Sequence, residues 1–172
     1  SFKSAMFATT LRRAGVMSVA IVVLAALAQG ATSLVDAAAR QDWPAVRVLV
    51  GGGADVNIPR ADGVTALLWA AHWDNLETVK LLLDTGADPN VADDHGVTSL
   101  MRACENASVE GVRVLLEAGA NPNAAQTSGL TALMLAAETG NRDVVRALVT
   151  QGAEVNAVTH NSDVTALMWA VE

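Results

Sequence analysis

The side chains best suited to nucleophilic or metal chemistry are few: one cysteine, Cys104, and three histidines, His72, His95 and His160. A reactive thiol needs exposure and a lowered pKa, and nothing in the sequence around Cys104 supplies either. A single cysteine also excludes an internal disulfide. The histidines have no metal-ligand spacing, and His160 lies far along the chain from His72. Asp93-Asp94-His95 places two carboxylates beside an imidazole, the components of an acid–base pair. It falls in a turn-rich stretch, where such charges face water. No G-x-S-x-G, phosphate-binding loop or H-E-x-x-H is present. The expectation is a chain with no catalytic residue, cofactor or metal.

The elements that would have to position any site are repeats. DGVTALLWAAHWDNLETVKLLLDTGADPN, from Asp62 to Asn90, returns from His95, from Ser128 and, in part, from Ser162. The first steps are 33 residues and the last is 34, and a looser copy starts at Thr32. A fixed period in this range marks a solenoid. In each block Thr65–Ala71 and its equivalents read as a short helix whose paired alanines permit close packing. Asp42, Asn75, Ser108 and Asn141 read as N-caps of a second helix, because a short side-chain oxygen accepts orphan first-turn N–H groups. Glu77, Glu110 and Asp143 follow, where negative charge favours the helix dipole, and Pro44 takes that place in the first copy. Leu76, Val79, Leu82 and Leu83 form an apolar stripe. Gly53, Gly86, Gly119 and Gly152 read as left-handed residues that end the second helix. Gly63, Gly96 and Gly129 belong to a turn-rich finger. Asp163 stands where a fourth such glycine would. Cys104 aligns with Ala71 and Ala137 and reads as a small core residue.

On the strength of G-A-D-V-N at Gly53–Asn57, D-G-V-T-A-L at Asp62–Leu67 and their relatives, the chain resembles the ankyrin repeat family. About four-fifths of it carries the resemblance. One departure recurs: TALLWA, TSLMRA, TALMLA and TALMWA lack the family's proline, and Leu68, Met101, Met134 and Met168 replace its histidine. The resemblance implies an all-α solenoid of stacked helix-turn-helix units with β-turn fingers. Its repeats span about 32–61, 62–94, 95–127 and 128–161, with a partial one over 162–172. It also implies a non-catalytic protein–protein interaction module that grips its partner by finger tips and first helices. Carried over by position, that face is Ala61, Asp62, Val64, His72 and Trp73 in the second repeat. It continues as Asp94, His95, Val97, Glu105 and Asn106 in the third, and as Thr127, Ser128, Leu130, Glu138 and Thr139 in the fourth. Trp73 is the foremost candidate. Its counterparts Asn106 and Thr139 show that the scaffold demands no aromatic there, and exposed tryptophan is a frequent binding hot spot. Trp69 and Trp169 are expected to pack between helices with an edge exposed, and Trp43 to be core.

Residues 1–28 differ in kind. Lys3, Arg12 and Arg13 precede an uncharged apolar run, Ala14–Ala28, which ends in Ala26-Leu27-Ala28. Basic flank, short apolar core and A-x-A site together read as a bacterial secretory signal cleaved before Gln29. The run falls short of the ~20 residues of a spanning helix, so an uncleaved signal anchor is the alternative. The ankyrin repeat domain would then be 29–172. The chain begins without methionine and stops at Glu172 inside a repeat, so both ends read as incomplete.

Bulk numbers limit the partner. The net charge is −7. Residues 1–28 hold three basic and no acidic residues, so without them it becomes −10. No basic stripe exists to neutralise phosphates, which argues against nucleic acid. A basic or mixed-charge protein surface suits long-range steering, and a membrane enters only if the apolar segment stays uncleaved. Two readings of function follow: an exported scaffold or protective partner of another protein, periplasmic or secreted, or the substrate-recruiting arm of an enzyme whose catalytic domain lies beyond residue 172.

Overall fold

The computed structural model describes residues 33–160 and 162–170. The expected signal segment 1–28 lies outside them. Among the described residues there are nine helices and no strand, only the isolated bridges Ala92–Thr98 and Ala125–Thr131. The helices pair in chain order: α1 (Leu34–Ala39) with α2 (Trp43–Gly51), α3 (Ala66–His72) with α4 (Leu76–Asp84), α5 (Ser99–Glu105) with α6 (Val109–Glu117), and α7 (Ala132–Glu138) with α8 (Arg142–Thr150). A short α9, Ala166–Trp169, follows. First helices pack on first helices and second on second, so the described elements form an all-α repeat solenoid.

Each pair is bounded by the same local chemistry. Asp42, Asn75, Ser108 and Asn141 cap the second helices through side-chain oxygens that accept from first-turn N–H groups. The first helices begin one residue later than the apolar run suggested, because Thr65, Thr98 and Thr131 stay extended as caps. Their hydroxyls accept from Leu68, Met101 and Met134 N–H. The second helices close on glycine. At Gly86 the backbone turns to φ 93°, its N–H reaches Leu83 O, and Ala87 N–H reaches Leu82 O, 3.0 and 2.9 Å away.

The first helices close on the same hydrogen-bond pair, a repetition the sequence conceals. Asp74 N–H donates to Ala71 O and Asn75 N–H to Ala70 O. The left-handed residue is Gln41, Asp74, Ala107 or Gly140 in successive repeats, with φ between 49° and 67°. Only the last copy uses glycine, so no glycine period betrays the turn.

The core is a seam of small and branched side chains. Ala70, Ala71, Ala103, Cys104 and Ala136 let first helices approach, while Leu67, Leu100, Val79, Leu82, Val112, Leu115, Val144 and Leu148 fill the space between layers. Leu68, Met101 and Met134, standing where the family has histidine, are all buried. Trp43, expected in the core, is half-buried at the start of α2 and packs against the core's edge. Arg47 of the first repeat reaches the next repeat and pairs with Glu77 at 3.2 Å. Lys80 and Glu110 repeat that link one unit on.

Neighbouring repeats are joined by asparagine. Asn57 Nδ2 donates to Gly86 O at 2.9 Å and its Oδ1 accepts from Asp88 N–H at 2.8 Å. Asn90 does the same with Gly119 and Asn121, and Asn123 with Gly152 and Glu154. The fingers add a backbone bond per step: Asp94 N–H to Asp62 O, Thr127 N–H to His95 O, His160 N–H to Ser128 O. That approach is why the finger glycine is needed. A Cβ at Gly96 would meet Ala125 O at 2.9 Å and Gln126 Cα at 3.0 Å, and its φ is 79°.

Two substitutions test this account by urea unfolding. Asn90→Ala removes both bonds of one link and should lower stability by about 1–2 kcal/mol. Ala107→Gly relieves a left-handed alanine at φ 52° and should raise stability by about 1 kcal/mol.

Candidate partner-binding face

The stack sets residues at 33-residue intervals in rows along the first helices. The C-terminal ends of α3, α5 and α7 present His72, Glu105 and Glu138 in one row, followed by Trp73, Asn106 and Thr139 in the next. One turn earlier stand Trp69, Arg102 and Leu135.

Trp73 is the helix C-cap and 42% exposed. Its indole lies nearly parallel to that of Trp69, with centroids 6.4 Å apart and planes 16° apart. The His72 ring meets both edge-on, at 4.8 Å from Trp73 and 5.5 Å from Trp69. The Arg60 guanidinium stands 6.0 Å from the Trp69 ring centre. The three rings form one aromatic ledge whose outer member is Trp73. Trp69 is half-buried, as expected of a residue wedged between helices, and Trp169 is half-buried too.

The other candidates divide. Val64 and Val97 are corrected: they are 9% and 6% exposed, and packing at the finger base removes their side chains from the face. Leu130 is half-buried against the core edge. Asn106 is exposed, but both protons of its side-chain amide are taken, by Ala71 O and His72 O at 2.9 Å each. It clamps the end of α3 and so fixes the backbone on which Trp73 stands. Thr139 spends its hydroxyl proton on Ala136 O. Asp62 holds Arg60 at 2.6 Å and accepts from Val64 N–H. The Arg60 guanidinium pulls the Asp62 carboxyl below its ordinary value, and is itself raised by it. His95, Glu105 and Glu138 are exposed, and Glu105 pairs with Arg102 at 2.8 Å. Glu138 and the Asp94 side chain have no ion-pair or hydrogen-bond partner among the described residues. Sequence reasoning missed the Asn106 clamp, whose only signal was a polar residue facing the preceding repeat's helix end.

Two recesses flank the rows. One, of about 270 Å³, is lined by Glu105, Leu135, Glu138 and Thr139. The larger, about 780 Å³, lies beside α8 and α9, among Leu133, Val145, Val149 and Leu167. It belongs to the edge of the described stack, where Leu167 and Met168 are 74% and 57% exposed while their counterparts Leu133 and Met134 are buried.

A model of ankyrin repeats, three copies long, matches residues 34–126 and 119–172. The chain belongs to the ankyrin repeat family. No curated protein matches it. Ankyrin repeats are generally protein-interaction modules, and the aromatic ledge of this one lies on its first helices. Among the described residues no three His, Cys, Asp or Glu side chains gather as metal ligands do. No described helix is long and apolar enough to cross a membrane.

Cys104 is fully buried in the ankyrin stack, and burial pushes its thiol up to about 12. The folded state therefore resists the thiolate. Above the ordinary value of 9.0 the unfolded chain releases a proton that the folded chain keeps. Stability should fall between about pH 9 and 12, by up to about 1.4 kcal/mol per pH unit from this group. Cys104→Ala should lack that component in urea titrations at stepped pH. A thiol reagent at pH 8 should label wild type only at the rate of unfolding.

Proposed function

We propose that this ankyrin-repeat chain is a non-catalytic module, exported across a bacterial inner membrane, that holds another protein on its finger and first-helix face. The observation that carries the reading is Trp73. A large aromatic stands 42% exposed at a position the fold fills elsewhere with Asn106 and Thr139. Its backbone is fixed by the Asn106 clamp and its ring by Trp69 and His72. A rigid, half-wet indole loses little entropy on binding and buries a large area. Around it, Asp62, His72, His95, Glu105, Leu130, Glu138 and Thr139 form the proposed contact face, with Asn106 as its support.

Trp73→Ala should weaken partner binding by about 2 kcal/mol, roughly thirtyfold. The fold should lose only the ring contacts, about 0.5–1.5 kcal/mol, against the ~3–5 kcal/mol of a tryptophan truncated in a core. Thermal unfolding and capture from an envelope extract, run side by side on both forms, measure this. A collapsed melting temperature would make Trp73 structural.

Export rests on the order of basic flank, apolar run and A-x-A at residues 1–28. Residues 1–35 fused to a reporter active only outside the cytoplasm should give activity, and the processed chain should begin at Gln29. Intact chain recovered from the cytoplasm would refute export. An active fusion that stays membrane-bound and uncut would mean a signal anchor.

A further inference from the structure

The charges on the first-helix and finger face are not balanced. On the second- and third-repeat part of that face the cations are already held, Arg60 by Asp62 and Arg102 by Glu105. Arg40, in register with Trp73 one repeat earlier, is exposed with no ion pair among the described residues. Glu138 and Asp94 face water without a cation among the described residues. On the second helices, by contrast, Arg47, Lys80, Arg113 and Arg146 pair with Glu77, Glu110, Glu117 and Asp143. There Arg113 and Lys80 hold the Glu110 carboxyl down at about 2. On the first-helix and finger face, surplus negative charge therefore collects on the third- and fourth-repeat side of the ledge, away from Arg40.

The recess between the third and fourth repeats has a matching composition. Leu135 gives it an apolar wall, and Glu105 and Glu138 set carboxylates at its rim. Glu105 Oε2 accepts from Arg102 Nη1–H, and no hydrogen bond reaches Oε1 among the described residues. A carboxylate accepts more than one donor. A long side chain with an apolar stem and a cationic head suits such a recess. The ledge suits the same head, since a guanidinium is drawn to an indole face, and Arg60 already stands at 6.0 Å from Trp69.

Resting on the proposed binding function, we infer that the partner presents an extended, arginine-bearing segment, with one guanidinium over Trp73 and a second in the Glu105–Glu138 recess. Arginine is favoured over lysine because its planar head both stacks on rings and forks onto carboxylates. Packed helices lie about 10 Å apart, so the two positions are roughly 15 Å apart, or about four to five residues of extended chain.

The probe is an acetylated, amidated peptide with two arginines separated by four glycine and serine residues, titrated calorimetrically into the full chain at low salt. The arginine peptide should bind and should shift the indole N–H resonances of the ledge. The lysine version should bind more weakly, and the glutamate version not at all. Trp73→Ala should weaken binding about fivefold or more, and Glu138→Gln about threefold, with unchanged circular dichroism. Glu154→Gln, which removes an exposed charge away from the recess, should leave binding intact. Failure of the arginine peptide to bind, or equal loss in Glu154→Gln and Glu138→Gln, would overturn the inference. If the peptide fails while capture of a protein still depends on Trp73, the binding face stands and only the partner's chemistry is wrong. If capture ignores Trp73, the face itself falls.

Discussion

Each repeat is tied to the next by an asparagine side chain that behaves as a piece of backbone. Asn57, Asn90 and Asn123 each offer a donor and an acceptor to the turn that closes the following second helix. The two bonds are directional, so they fix the rise and rotation of a repeat as well as holding it. The apolar seam cannot do that alone, because hydrophobic burial is non-directional. Alanine and leucine bring the layers together, and asparagine and the finger backbone bonds set their register.

From that register follows the ledge. His72 and Trp73 stand at the end of α3, and the next repeat reaches back through Asn106 to occupy the carbonyls of Ala71 and His72. The helix end that carries the exposed indole is therefore held by the neighbouring unit as well as its own. The counterpart of Asn106 in the following repeat, Thr139, bonds within its own repeat to Ala136 O and makes no such clamp. The clamp is thus found at the repeat that carries the exposed indole.

Charge is divided between the two layers by the same repetition. Salt links such as Arg47–Glu77 and Lys80–Glu110 run along the second helices, where both partners are exposed and each pair adds little stability. The first helices end in His72, Glu105 and Glu138, a row with one ion-paired and one free carboxylate. A partner with complementary charge would be steered to that side of the stack.

The sequence by itself determined the repeat, its period and most of its punctuation. A cap or a C-terminal glycine acts within a few residues of itself, so Asn75, Ser108, Gly86 and Gly119 could be assigned from local chemistry. The burial of Cys104 was legible for a related reason: it stands in register with Ala71. Tertiary structure decided what depends on the neighbouring repeat. Val64 and Val97 looked like finger-tip contacts because their sequence spacing places them there, yet packing at the finger base buries them. Asn106 looked like a surface residue because its acceptors lie 34 and 35 residues away. The left-handed turns at Gln41, Asp74 and Ala107 left no signal, because hydrogen bonds and packing around them enforce a conformation their side chains do not prefer. The stacking of Trp69, His72 and Trp73 was equally hidden: ring orientation depends on which space the neighbouring helices leave open, and no spacing in one chain encodes that directly.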